Sequence, residues 1–127
     1  MSESVKHILE KDSRYKFQAY AFVLAALEVA RLQTKKTKHV TGLELLEGVK
    51  SLAQQEFGLM AKTVFESWGI KTTDDVGEIV FNLIEEGLLS KTDEDKKEDF
   101  HNVYDFNKVF NDEYPFFDSR KDIEENK

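Results

Sequence analysis

The chain has no cysteine, one proline (Pro115), one tryptophan (Trp68) and three histidines in 127 residues. The missing cysteines exclude disulfides, thiolate zinc sites and cysteine nucleophiles together. Long hydrophobic runs are also lacking. The most apolar stretch, residues 20–27, ends at Glu28 and is interrupted again at Arg31, far short of the ~18 residues of a membrane span. Acidic residues precede it and a helical pattern continues through Leu32, so it reads as a core helix and not as a signal peptide. A cytoplasmic location is the expectation. Catalytic signatures are absent as well: there is no H-E-x-x-H, no G-x-S-x-G and no glycine-rich phosphate loop. Ser13-Arg14-Tyr15-Lys16 matches S-x-x-K, one short match at a helix start. No enzyme and no cofactor are expected.

What is present suits a single domain. A hydrophobic fraction of 40% and an aromatic fraction of 12% supply a packed core at this length. The net charge of −7 is unevenly spread: residues 1–72 carry 11 basic and 8 acidic groups, residues 73–118 carry 4 and 14, and the last nine balance. An acidic second half repels phosphate and argues against nucleic acid there.

Apolar spacing predicts five helices. The first covers residues 4–11, capped by Ser2 or Ser4. The second runs from about 14 to 33, capped by Asp12 or Ser13, with Phe17, Tyr20, Leu24 and Leu27 on its stripe. A polar, basic loop over 34–40 precedes a capping box at Thr41 and Glu44. The third helix then runs to Gly58, and a short fourth helix with Met60, Val64, Phe65 and Trp68 stops at Gly69. A turn over 69–72 leads into the fifth, which opens at Thr72 or Thr73 and stops at Gly87. After it, residues 88–92 and 100–106 read as strands around a charged loop at 93–99, a small C-terminal β-hairpin. The expected fold class is therefore mainly α (α+β). A single domain spans 1–117, and a flexible polar tail spans 118–127.

Helix, four-residue turn, helix, strand, loop, strand is the order of a winged-helix core and wing. The fragment from Ile79 through Gly87-Leu88-Leu89-Ser90 resembles a winged-helix recognition helix running into its wing. Its outward positions, Asp74, Asp75, Glu78, Asn82, Glu85 and Glu86, include no base to meet phosphates. Over residues 5–110 the chain also resembles an uncharacterised family of small bacterial proteins of about 130 residues. The resemblance rests on Arg14-Tyr15 with Ala19-Tyr20, His39-Val40-Thr41-Gly42, Glu44-Leu45-Leu46-Glu47-Gly48, Phe57-Gly58, Glu66-Ser67-Trp68-Gly69-Ile70, Gly77-Glu78-Ile79-Val80-Phe81-Asn82-Leu83, Gly87-Leu88-Leu89-Ser90 and Val103-Tyr104-Asp105-Phe106. It implies one domain and supplies no catalytic residue.

Candidate sites follow, each beside its plainer reading. Phe100, Phe106, Phe110, Phe116 and Phe117 crowd the last 28 residues. Either they cover the second helix or some form a partner surface. Lys36, Lys38, His39 and Thr41 form either an anion-binding corner at a helix start or a solvated loop. Trp68 is a partner anchor or a core ring at a helix end. Asp93, Glu94, Asp95, Glu98 and Asp99 do not follow an EF-hand pattern and read as a solubilising loop. His101, Tyr104 and Asp105 lack the nucleophile or metal ligands of a catalytic group.

The functional expectation is a non-enzymatic protein-interaction or adaptor module with an unidentified protein partner, a monomer or a homodimer. The alternative is a nucleic-acid-binding regulator using a basic N-terminal face of Lys6, Lys11, Arg14, Lys16, Lys35, Lys36 and Lys38. Contact with a membrane is not expected.

Overall fold

The computed structural model describes residues 3–35, 39–89 and 96–112, with side chains through residue 110. Five α-helices follow one another: α1 (Glu3–Lys11), α2 (Phe17–Thr34), α3 (Gly42–Phe57), α4 (Ala61–Ser67) and α5 (Thr73–Glu85). Short 3-10 turns lie at Gly58–Met60 and Lys97–Phe100, and one π turn lies at Lys108–Asp112.

Local chemistry sets most boundaries. The Thr41 hydroxyl accepts the Glu44 N–H at 3.1 Å, and the Glu44 carboxylate accepts the Thr41 N–H at 2.9 Å, so α3 opens on the expected box. At the start of α5 the Asp75 carboxylate accepts the N–H groups of Lys71 and Thr72. The second helix differs from expectation. It begins at Phe17, after an extended Lys16 that offers no side-chain cap. Asp12 caps nothing there. Its Oδ1 accepts the Arg14 N–H at 3.1 Å, which turns the chain between α1 and α2.

α2 and α3 pack antiparallel. Gly48 makes their close approach possible, since a Cβ there would stand 2.6 Å from the Ala26 carbonyl oxygen and 3.0 Å from the Ala30 methyl. Gly69 is equally constrained. Its φ is +95°, and a Cβ would meet the Arg14 carbonyl at 2.1 Å. The Lys16 N–H also donates to the Trp68 carbonyl at 3.1 Å, so the turn after α4 lies directly on the α1–α2 connection.

The C-terminal part departs most from the sequence reading. The chain is mainly helical, and no strand occurs among the described residues. Residues 100–106, expected as the second hairpin strand, instead close a 3-10 turn at Phe100, pass through Asn102 at φ 51° and re-enter helix at Phe106. The cause is tertiary. The Phe100 side chain fills a notch left by two glycines, lying 3.1 Å from a Cβ built on Gly42 and 2.8 Å from one on Gly77. The buried Thr73 hydroxyl donates to the Phe100 carbonyl at 2.6 Å and accepts the Val103 N–H at 3.1 Å. These bonds take the place of a strand ladder. Leu88 and Leu89 both turn their N–H groups onto the Leu83 carbonyl and so finish α5. The rest of the first expected strand, residues 90–92, lies outside the described residues, as do 93–95 of the charged loop and the tail over 118–127.

The aromatic partner surface is also corrected. Phe100, Phe106 and Phe110 are 3%, 3% and 0% exposed. They belong to the core because α3, α4 and α5 leave space that only this segment fills. Phe65 of α4 stands at the centre, with the rings of Phe22, Phe106 and Phe110 at 5.3, 5.3 and 5.5 Å. Gln54 donates to the Val109 carbonyl at 2.8 Å and Tyr104 to the Leu46 carbonyl at 2.6 Å, which ties the segment to α3. Phe116 and Phe117 lie outside the described residues.

Candidate functional site

The anion corner is only half represented, since Lys36 and Lys38 lie outside the described residues. At Thr41 the hydroxyl and the N–H are both engaged with Glu44. A carboxylate of the chain itself therefore already sits at the positive end of α3.

Two residues of the basic face, Lys11 and Arg14, meet carboxylates of α5 directly. Residues 7–15 run antiparallel along α5, with a polar contact at each step. His7 pairs with Glu86, Lys11 with Glu85 at 3.1 Å, and Arg14 with Glu78 at 3.3 Å. Tyr15 donates to Asp75 at 2.5 Å. Lys97 reaches the same Glu78 oxygen at 3.3 Å. Asp12 is the hub of this seam. It accepts Arg14 Nε at 2.9 Å and Nη2 at 2.7 Å, and Asn82 Nδ2 at 2.9 Å. Asn82 Nδ2 also donates to the Tyr20 hydroxyl at 3.0 Å.

The bonds from Arg14 hold the Asp12 carboxyl well below the usual carboxylate range. Burial opposes them and Asn82 reinforces them. The same pair pushes Arg14 upward. Tyr15 is raised by burial and then by its bond to Asp75, and Tyr20 is raised by burial. Tyr104, outside the seam, is raised by burial and more weakly by Glu47. A seam of paired, mutually satisfied groups holds elements together.

His101, Tyr104 and Asp105 go separate ways. His101 faces Asp74 at 3.0 Å, Tyr104 binds the Leu46 carbonyl, and Asp105 accepts the Asn107 N–H at 2.7 Å. Among the described residues no group of three or more His, Asp or Glu is arranged to hold a metal ion. No described helix is long and apolar enough to cross a membrane. A depression of about 420 Å³ is an open groove along α1 lined by Glu3, Ser4, Lys6, His7, Glu10 and Glu86. Most of these side chains are charged.

A second cluster, around α4, is apolar. The rings of Phe22, Phe57 and Trp68 form a triangle with centroid distances of 5.7, 5.6 and 5.6 Å. Phe22 is buried, while Phe57 and Trp68 are half-buried. Directly after Phe57 the 3-10 turn Gly58–Met60 displays Leu59 at 44% and Met60 at 58% exposure. The π turn at Lys108–Asp112 packs against that 3-10 turn, so the described chain ends beside the patch. Trp68 stands out in the sequence as an aromatic at a helix end, whereas apolar spacing puts Met60 in the fourth helix, and the structure instead leaves it exposed in the 3-10 turn before α4. The available signal was Phe57-Gly58-Leu59-Met60 itself. A glycine stop followed at once by two large apolar residues places them in a connection, and connections run over the surface.

Comparison with known proteins adds nothing to this geometry: no family model, no curated protein and no solved structure matches the chain.

Proposed function

We propose that the chain is a non-enzymatic protein-interaction module that receives a protein partner on its aromatic end. The observation that carries this reading is the exposure of Leu59 and Met60 beside the half-buried rings of Phe57 and Trp68. Methionine and aromatic side chains are enriched where protein surfaces meet, and a flexible thioether adapts to varied apolar shapes. The reading extends to a cytoplasmic protein, monomeric or homodimeric, of the small bacterial family that the sequence resembles. The α4–turn–α5 unit would be the helix-turn-helix half of a winged-helix-like arrangement. Nucleic acid is not part of this reading, because Lys11 and Arg14 face carboxylates of α5.

The test is a pull-down comparing the native chain with the Leu59→Asp/Met60→Asp variant, after circular dichroism shows equal helicity. The expected result is a partner retained by the native chain and lost by the variant. Equal retention by both, or retention by neither, overturns the reading.

A further inference from the structure

We infer that the outward face of α2 joins two copies of this chain, each α2 lying antiparallel to the other across a two-fold axis. This contact uses none of the residues of the aromatic end and gives the chain a second surface, one that recognises itself.

The first observation is what α2 shows to water. The side of a surface helix away from the core is normally charged or polar. α3 and α5 follow that rule, with Glu47, Gln55 and Glu56 exposed on one and Glu85 on the other. α2 does not. Phe17, Ala21, Leu24, Ala25 and Leu32 recur at steps of three, four and seven residues and so share one side of the helix. Phe17 is 39% exposed and Leu32 81%, Ala21 and Ala25 are exposed, and Leu24 is half-buried. The inner side is apolar too, since Phe22, Val23, Ala26 and Ala30 are buried. A helix apolar all round is the pattern of a helix covered on both sides.

The second observation is charge, which selects a second copy as the cover. Glu28 and Arg31 are the charged groups along the outward side, and they pair with each other, so two copies meet there without burying an unpaired charge. Exposed Lys16 stands just before the N-terminal end of the stripe. Glu28, whose side chain is 67% exposed, stands near the C-terminal end. An antiparallel crossing at Ala21 and Ala25 brings Lys16 of each copy to Glu28 of the other, so one attraction forms twice. Phe17 of each copy then lies over the turn between Glu28 and Leu32 of the other. A two-fold contact requires this self-complementarity.

The third observation is size. An 18-residue helix is about 27 Å long, which puts the contact at the small end of specific interfaces. The dimer is therefore reversible, with a dissociation constant in the micromolar range.

Sedimentation equilibrium of the full-length native chain, from micromolar to millimolar concentration, tests this. The mass should rise from monomer to dimer. Ala25→Glu and Leu32→Glu alter exposed positions, so helicity and the unfolding midpoint should stay unchanged. Each should weaken association about a hundredfold by placing an unpaired charge in the contact. Lys16→Glu should weaken it more than Lys6→Glu, which makes the same change of charge on α1. The Leu59→Asp/Met60→Asp variant should dimerise as the native chain does.

A monomer mass throughout overturns the inference. So does a dimer that both glutamate variants leave intact, or equal weakening by Lys16→Glu and Lys6→Glu. Loss of the dimer in the Leu59→Asp/Met60→Asp variant alone also overturns it, by moving the contact to the aromatic end. The pull-down decides separately: a partner lost only through Leu59 and Met60 leaves the interaction module standing whether or not α2 joins two copies.

Discussion

The molecule has two seams that differ in kind. One is polar: residues 7–15 lie along α5 through His7–Glu86, Lys11–Glu85, Asp12–Asn82, Arg14–Glu78 and Tyr15–Asp75. The other is aromatic: Phe22, Phe57, Phe65, Trp68, Phe106 and Phe110 stack between α2, α3, α4 and the C-terminal turns. In the polar seam most charges remain within reach of water, and exchanging water for a partner leaves little net free energy. In the aromatic seam Phe22, Phe65, Phe106 and Phe110 are withdrawn from water, Phe57 and Trp68 are half-buried, and the rings contribute by area and contact. The aromatic seam should therefore carry most of the stability, while the polar seam fixes the register of the N-terminal helix. A charge split visible along the chain becomes, in the fold, an internal neutralisation.

The largest expected effect lies at the centre of the aromatic seam. Phe65→Ala should cost about 3–5 kcal/mol, read as a lower midpoint in urea unfolding. A loss below about 1 kcal/mol would mean that the rings repack freely and that the contrast between the seams is false. Next comes a half-buried, doubly bonded point of the polar seam. Asn82→Ala withdraws a donor from both Asp12 and Tyr20 and should cost about 1–3 kcal/mol. A cost equal to that of Phe65→Ala would also erase the contrast.

The third prediction uses alkaline pH. Tyr15 has a raised pKa in the folded chain, so the unfolded chain gives up this phenol proton first. Its contribution is complete below about pH 10, the ordinary phenol value, and is lost as pH rises further. Tyr15→Phe should flatten the alkaline decline of stability by about 1.4 kcal/mol per pH unit. An unchanged slope, measured by unfolding at successive pH values, would place the effect elsewhere. The smallest effect is expected at the rim. Lys11→Met should change stability by no more than about 0.5 kcal/mol, because Lys11 and Glu85 are both exposed. Salt titration should show the native chain and this variant converging.

Legibility from sequence follows the same division. Helix starts and stops rest on chemistry within a few residues, so Thr41 with Glu44, Gly58, Gly69 and Gly87 could be placed in advance. Residues 100–106 misled because Phe100, Asn102, Tyr104 and Phe106 alternate as a strand does. Their path is set instead by the notch at Gly42 and Gly77 and by the Thr73 hydroxyl, which lies 27 and 30 residues away from its two partners. The polar seam was invisible for the same reason, since no local pattern announces that Asp12 will meet Asn82. Among the candidate site residues Trp68 was recognisable as an aromatic at a helix end. Whether Met60 points inward or outward depends on how α3 and α4 pack, and spacing alone does not contain that.

The contacts of α1 have a further consequence for the order of events in folding. His7 and Glu86 are 79 positions apart, and Lys11 and Glu85 are 74 apart. Contacts this distant form only after a large entropic cost of closure has been met. Helix α1 should thus be among the last elements to dock. Its interactions should be mostly absent from the folding transition state, so that weakening them speeds escape from the native state and leaves the folding rate nearly untouched. The polar seam would then act as a latch on the lifetime of the fold, with little influence on how quickly the fold is reached.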